Sequence, residues 1–147
     1  MGDRCWLEVN LRESDLNRLG RIFGAPPFDE IDESESHVTG FIGEINYGGL
    51  REREEMAQAK IPFHGSHGAG GEYPECVFAS FDGKMTAVPS IERMPVITVN
   101  EEDLNPVEGV GPPTRHVSDQ VARIRRYYDL LKKVNAAFDE DLPVTTV

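Results

Sequence analysis

Along residues 5–11 the chain alternates, with Cys5, Leu7, Val9 and Leu11 on one side and Trp6, Glu8 and Asn10 on the other. A period of two predicts a half-buried strand, and Trp6 is the apolar exception on its polar face. Next, Ser14 offers a helix N-cap and Asp15 suits a first turn. Leu16, Leu19 and Phe23 recur at helical spacing, and Gly24 supplies a stop, so a short helix is predicted. Ala25 to Ser36 opens with Pro26-Pro27 and continues with Asp29, Glu30, Asp32, Glu33 and Glu35, the pattern of a solvated acidic loop. From His37 to Tyr47, Val38, Phe41, Ile42 and Ile45 with two interior glycines predict a bent strand, ended by Gly48-Gly49.

Leu50 to Lys60 is rich in helix formers, but its apolar positions, Leu50, Met56 and Ala57 with Ile61 beyond, are few. That weak stripe predicts a peripheral helix. A short extended Ile61-Pro62-Phe63 leads into a glycine-rich loop. Beyond it, Cys76–Phe81 and Lys84–Val88 flank Asp82-Gly83, the signature of a type I′ hairpin. Pro89 and Pro95 bracket a loop, Val96-Ile97-Thr98-Val99 predicts one more short strand, and Asn100 to Pro113 reads as a connector. The strongest pattern comes last. Val117, Val121, Ile124, Tyr128, Leu131 and Phe138 fall at spacings of three, four or seven and predict a long amphipathic helix lying across the sheet. The expectation is one α+β domain over residues 1–138. It has a mostly antiparallel sheet of about five or six strands, a long C-terminal helix packed on it and two shorter helices, with residues 139–147 as a flexible tail.

A chain of 147 residues with 39% apolar content suffices for one core. Its formal net charge of -11 argues against direct nucleic-acid binding and favours cationic partners. The charge is uneven: residues 111–138 hold six of the fifteen basic residues and two of the twenty-six acidic ones, a net +4 against -15 for the remainder. No apolar run approaches the roughly 20 residues that span a bilayer, and Met1-Gly2-Asp3-Arg4 lacks signal-peptide character, so a cytoplasmic, membrane-free protein is expected. Two cysteines, Cys5 and Cys76, are too few for a disulfide framework and read as small buried hydrophobes.

Candidate chemistry concentrates in the loop at 64–73, where His64, Ser66, His67, Glu72 and Tyr73 lie among four glycines. A zinc site would draw on His64, His67 and Cys76, with His37, His116 or Cys5 as a further ligand, but this spacing is not a standard one. A phosphate nest would need a helix start behind the glycines, and Glu72-Tyr73-Pro74 stands there instead. Catalysis lacks a nucleophile elbow or a papain-like cysteine context. The competing structural interpretation is a tight crossover whose histidines hydrogen-bond the backbone.

Acidic clusters form the other constellation: Asp29, Glu30, Asp32, Glu33 and Glu35, then Glu52, Glu54 and Glu55, then Glu101, Glu102 and Asp103. Such clusters steer association with a basic protein surface. The chain is similar in general type to small acidic proteins of phages and mobile elements, inhibitors of host defence among them, although no specific motif carries that likeness. The expected function is therefore a non-enzymatic, cofactor-free interaction module for a basic protein surface, as an inhibitor or nucleic-acid mimic would be. The alternative is a small metal- or ligand-binding enzyme whose site is the loop at His64 to Tyr73. A homodimer built on the C-terminal helix is a third expectation.

Overall fold

The computed structural model describes residues 3–99 and 115–140. Seven strands form one antiparallel sheet: β1 (Arg4–Leu11), β2 (Glu30–Glu33), β3 (Val38–Asn46), β4 (Phe63–His67), β5 (Cys76–Phe81), β6 (Lys84–Ile91) and β7 (Met94–Pro95). Their order is β2-β3-β1-β4-β5-β6-β7. Among the described residues three α-helices accompany it, α1 (Gly20–Phe23), α2 (Leu50–Gln58) and α3 (Arg115–Glu140). The α+β class with a long C-terminal helix is as the sequence predicts, with seven strands in place of five or six. Among the described residues no helix is long and apolar enough to cross a membrane.

Alternation along β1 decides the layering. Leu7, Val9 and Leu11 are fully buried on one face, where they meet Leu19, Phe28, Met56, Ala57, Ile61 and Phe63. On the opposite face, Val77, Ala79 and Val88 of β5 and β6 pack under Tyr127 and Leu130 of α3. Among the described residues only the middle of the sheet is covered twice, so β5 reads as a continuous apolar run whereas β1 alternates. The smaller helical pieces thus seal one face. α3 lies over β5 and β6 and touches β4, and the β2-β3-β1 part of that face carries Glu8, Asn10, Glu30, Asp32 and Thr39 together with Trp6 and Phe41.

The Asp82-Gly83 hairpin forms as its sequence requires, with both residues at positive φ (51° and 82°). Four local expectations are corrected. The acidic stretch after Pro27 is not all loop, because Glu30–Glu33 pairs with β3 as an edge strand exposed at every residue. The glycine-rich loop begins later, since Phe63–His67 is a central strand between β1 and β5. Residues 96–99 are not a strand, and the last pairing is made by Met94–Pro95. The first helix is mostly a 3-10 segment, Glu13–Arg18. There Asp15 is buried, held by Arg12 at 2.8 Å and Arg18 at 3.1 Å.

Gly65 explains how β4 fits. A Cβ there would run into the Glu8 carbonyl and meet the Phe78 ring at 3.0 Å, so only glycine lets β4 pass so close to β1. In α3 the buried line runs through Tyr127, Leu130, Val134, Ala137 and Phe138, while Tyr128, expected inside, is 48% exposed. α3 extends through Glu140, and the rest of the expected tail lies outside the described residues.

Candidate interaction site

Strand geometry separates the residues that the sequence grouped. His64 and His67 sit three apart on β4, so they point to opposite faces of the sheet. His67 is buried toward α2, with its Nδ1 2.8 Å from the Gly68 carbonyl, its ring stacked on Phe78 and the Tyr73 ring edge-on to it. Burial pushes the His67 pKa down. The Arg53 guanidinium lies 4.6 Å from the Phe78 ring centroid, and its Nε donates to the Gly48 carbonyl at 2.9 Å. The Tyr73 hydroxyl donates to the Asp3 carbonyl at 2.7 Å. His67 therefore holds backbone, as the structural interpretation expected of both histidines, and Tyr73 does so too, whereas the His64 ring meets the Asn10 side chain and Glu72 is exposed.

An ion shared by His64 and His67 is ruled out by this divergence. Cys76 stands beside His67 in the β4–β5 register, and burial raises its thiol pKa, which opposes thiolate chemistry. Among the described residues no three His, Cys, Asp or Glu side chains are placed to hold a metal.

The acidic run also divides. Glu30 and Asp32 pair with Phe41 and Thr39 on the α3 side of the sheet, whereas Glu33 pairs with Val38 and faces the other way. Glu35 is exposed in the β2–β3 connection. Glu101, Glu102 and Asp103 lie outside the described residues. Asp29 accepts a hydrogen bond from the Gly43 amide at 2.8 Å, which places its carboxylate over β3.

Among the concavities of the described residues, two lie on opposite sides of the sheet. The larger, about 670 Å³, opens between α1, β3 and the start of α2. Ile22, Phe23, Ile42, Ile45, Tyr47 and Leu50 supply its apolar surface, and Tyr47 and Leu50 remain 52% and 43% exposed. Its carboxylates are Asp29, Glu44, Glu52 and Glu54, against one cation, Arg51. Arg51 is already committed to Glu52 and Glu55, at 3.6 and 3.4 Å. An apolar floor with a carboxylate rim complements a segment that is apolar on one side and cationic at its margins. Sequence reading missed this groove because four separate segments build it. The available signal was Tyr47 and Leu50 beside Glu44, Glu52 and Glu54.

On the α3 side, a cleft of about 390 Å³ is lined by Glu8, Asn10, His64, Ser66, Arg93 and Tyr127. Thr39 donates to Asn10 Oδ1 at 2.7 Å, which fixes the amide so that its Nδ2 faces the His64 carbonyl at 3.3 Å and His64 Nδ1 at 3.5 Å. Burial, then the nearby His37, lowers the His64 pKa to about 4, so its imidazole is neutral at pH 7. Of the predicted loop residues, only His64 and Ser66 enter this cleft. Arg93, contributed by the turn between β6 and β7, was not singled out from the sequence. Compared with family models, curated proteins and solved structures, the chain matches none.

Proposed function

We propose that the protein is an interaction module whose groove between α1, β3 and α2 receives a basic, amphipathic segment of a partner protein. One observation carries this reading: exposed Tyr47 and Leu50 lie in a groove with apolar side chains, rimmed by the carboxylates of Asp29, Glu44 and Glu54. Burial of the partner's apolar side chains would supply affinity, and the carboxylates would supply encounter rate and choice of partner. The net charge of -11 extends the attraction beyond the groove.

A synthetic helix of leucines and lysines, followed by fluorescence anisotropy, tests this. Binding should be saturable and should weaken as salt rises from about 50 to about 200 mM, where the Debye length shortens toward 8 Å. Glu44→Lys combined with Glu54→Lys should weaken it about tenfold. Glu30→Lys with Asp32→Lys, on the other side of the sheet, should have a much smaller effect. Equal binding by the groove variant, or equal binding of a leucine–glutamate helix, would refute the proposal.

A further inference from the structure

The turn that follows β6 is built in an unusual way. Ile91 pairs with Met94, leaving Glu92 and Arg93 as a two-residue loop, and both have positive φ, 51° and 65°. Such turns favour asparagine and glycine, because a Cβ is strained in the left-handed region. Local preference therefore does not account for an arginine here, and strain of this kind persists where surrounding contacts hold it.

Those contacts immobilise Arg93. Its backbone N–H donates to Glu75 Oε2 at 3.0 Å, and the same oxygen accepts from the Ser90 hydroxyl at 2.7 Å. Burial works against ionisation of Glu75, but these hydrogen bonds prevail and lower its pKa, so the anchor is a carboxylate at neutral pH. The Arg93 Nε lies 3.0 Å from Glu8 Oε2 and 3.3 Å from Ser66 Oγ, and the guanidinium carbon sits 5.1 Å from the Trp6 ring centroid. Among the described residues, no hydrogen bond engages Nη1 or Nη2. A guanidinium fixed by its Nε and one face presents its terminal N–H groups as a preorganised fork. Arg93 lines the cleft, and Tyr127 lines it from α3. Burial raises the Tyr127 pKa to about 12, so its hydroxyl keeps its proton.

We propose that this cleft is a binding site for a small organic carboxylate, held by the Arg93 fork with its apolar body against Val77 and Tyr127. Charge selects the class. Glu8 balances the Arg93 charge and the Glu75 carboxylate stands beside it, so the cleft carries no net positive charge and, in an acidic chain, opposes a monoanion less than a phosphate dianion. A volume of about 390 Å³ suits a molecule of one ring or a few carbons beyond its carboxylate. The site lies across the sheet from the partner groove and does not depend on it.

Trp6 is the sole tryptophan, so its indole N–H gives one well-separated NMR signal beside Arg93. Titration of the full chain with benzoate should move that signal saturably, with a Kd of roughly 1 mM for so small a ligand. Arg93→Gln should weaken binding about tenfold or more, and Arg93→Lys, which keeps the charge and loses the fork, should weaken it severalfold. Arg21→Gln, in α1 on the opposite face, should leave it unchanged. The proposal is overturned if the shift is not saturable, if both Arg93 variants bind benzoate as the parent chain does, or if inorganic phosphate binds more tightly than benzoate.

Discussion

His64 shows how one side chain sets a pH dependence. Its ring is packed 5.6 Å from the Phe138 ring and 6.3 Å from that of His37, and burial with the neighbouring imidazole brings its pKa to about 4. In the unfolded chain an imidazole titrates near 6.5, so between those values the unfolded state binds more protons than the folded one. The contribution of His64 to stability is complete above about pH 6.5, falls as pH drops, and stops falling below about pH 4. Over that window the loss amounts to about 3 kcal/mol. Urea midpoints measured across it should decline less steeply in His64→Gln. His37 and His67, both also lowered by burial, and Glu75, lowered by its hydrogen bonds, contribute to the slope that remains. An unchanged slope in His64→Gln would remove His64 as the source.

At the level of elements, the crossing of β1 and β4 is the tightest constraint. Gly65→Ala puts a methyl against the Glu8 carbonyl, which is backbone and cannot move aside, so a loss of about 2 kcal/mol or more is expected in urea unfolding. Gly20→Ala in α1, where an added Cβ meets nothing within 4 Å, should be neutral or slightly stabilising. Equal effects of the two would show that the crossing is not tight. This same strand marks the limit of sequence reading. β1, the β5–β6 hairpin and α3 were legible because each has a period or a turn signature of its own. β4 reads Phe-His-Gly-Ser-His, with small and polar residues on both sides, and its place in the sheet is fixed by neighbours far away in sequence. β2 is a run of exposed residues whose pairing with β3 leaves no apolar trace. In α3 the spacing was legible but not the rotation, since Tyr127 and Tyr128 fit the period about equally well until the sheet chooses Tyr127. The sequence likewise gathered His64 and His67 into one site because they are close in chain, and the pleat separates them. Arg93 escaped notice because its role depends on Glu8, Ser66 and Trp6, none of them near it in sequence.

Taken whole, the molecule has two unequal layers of burial on one sheet. The larger cluster joins β1, β3, β4 and α2, and the smaller one fastens α3 to β5 and β6. Free energy of local opening follows buried apolar contact, so α3 should come away before the sheet does. Its C-terminal end is tied by Phe138, which stacks on His37 at 5.1 Å and packs on His64, so this attachment is made to two imidazoles whose burial favours the neutral form. That packing disfavours protonation, because it withdraws both rings from water and sets His64 beside a second imidazole. Acidification should therefore loosen α3 selectively. Amide exchange, corrected for the intrinsic effect of pH, should show lower protection across Val134–Phe138 at pH 5 than at pH 7, with β1 and β4 amides little changed. Phe138→Leu should weaken α3 protection at both values and reduce the difference between them. Uniform loss of protection in sheet and helix alike would mean that the molecule opens as one cooperative unit and that the two histidines act on global stability alone.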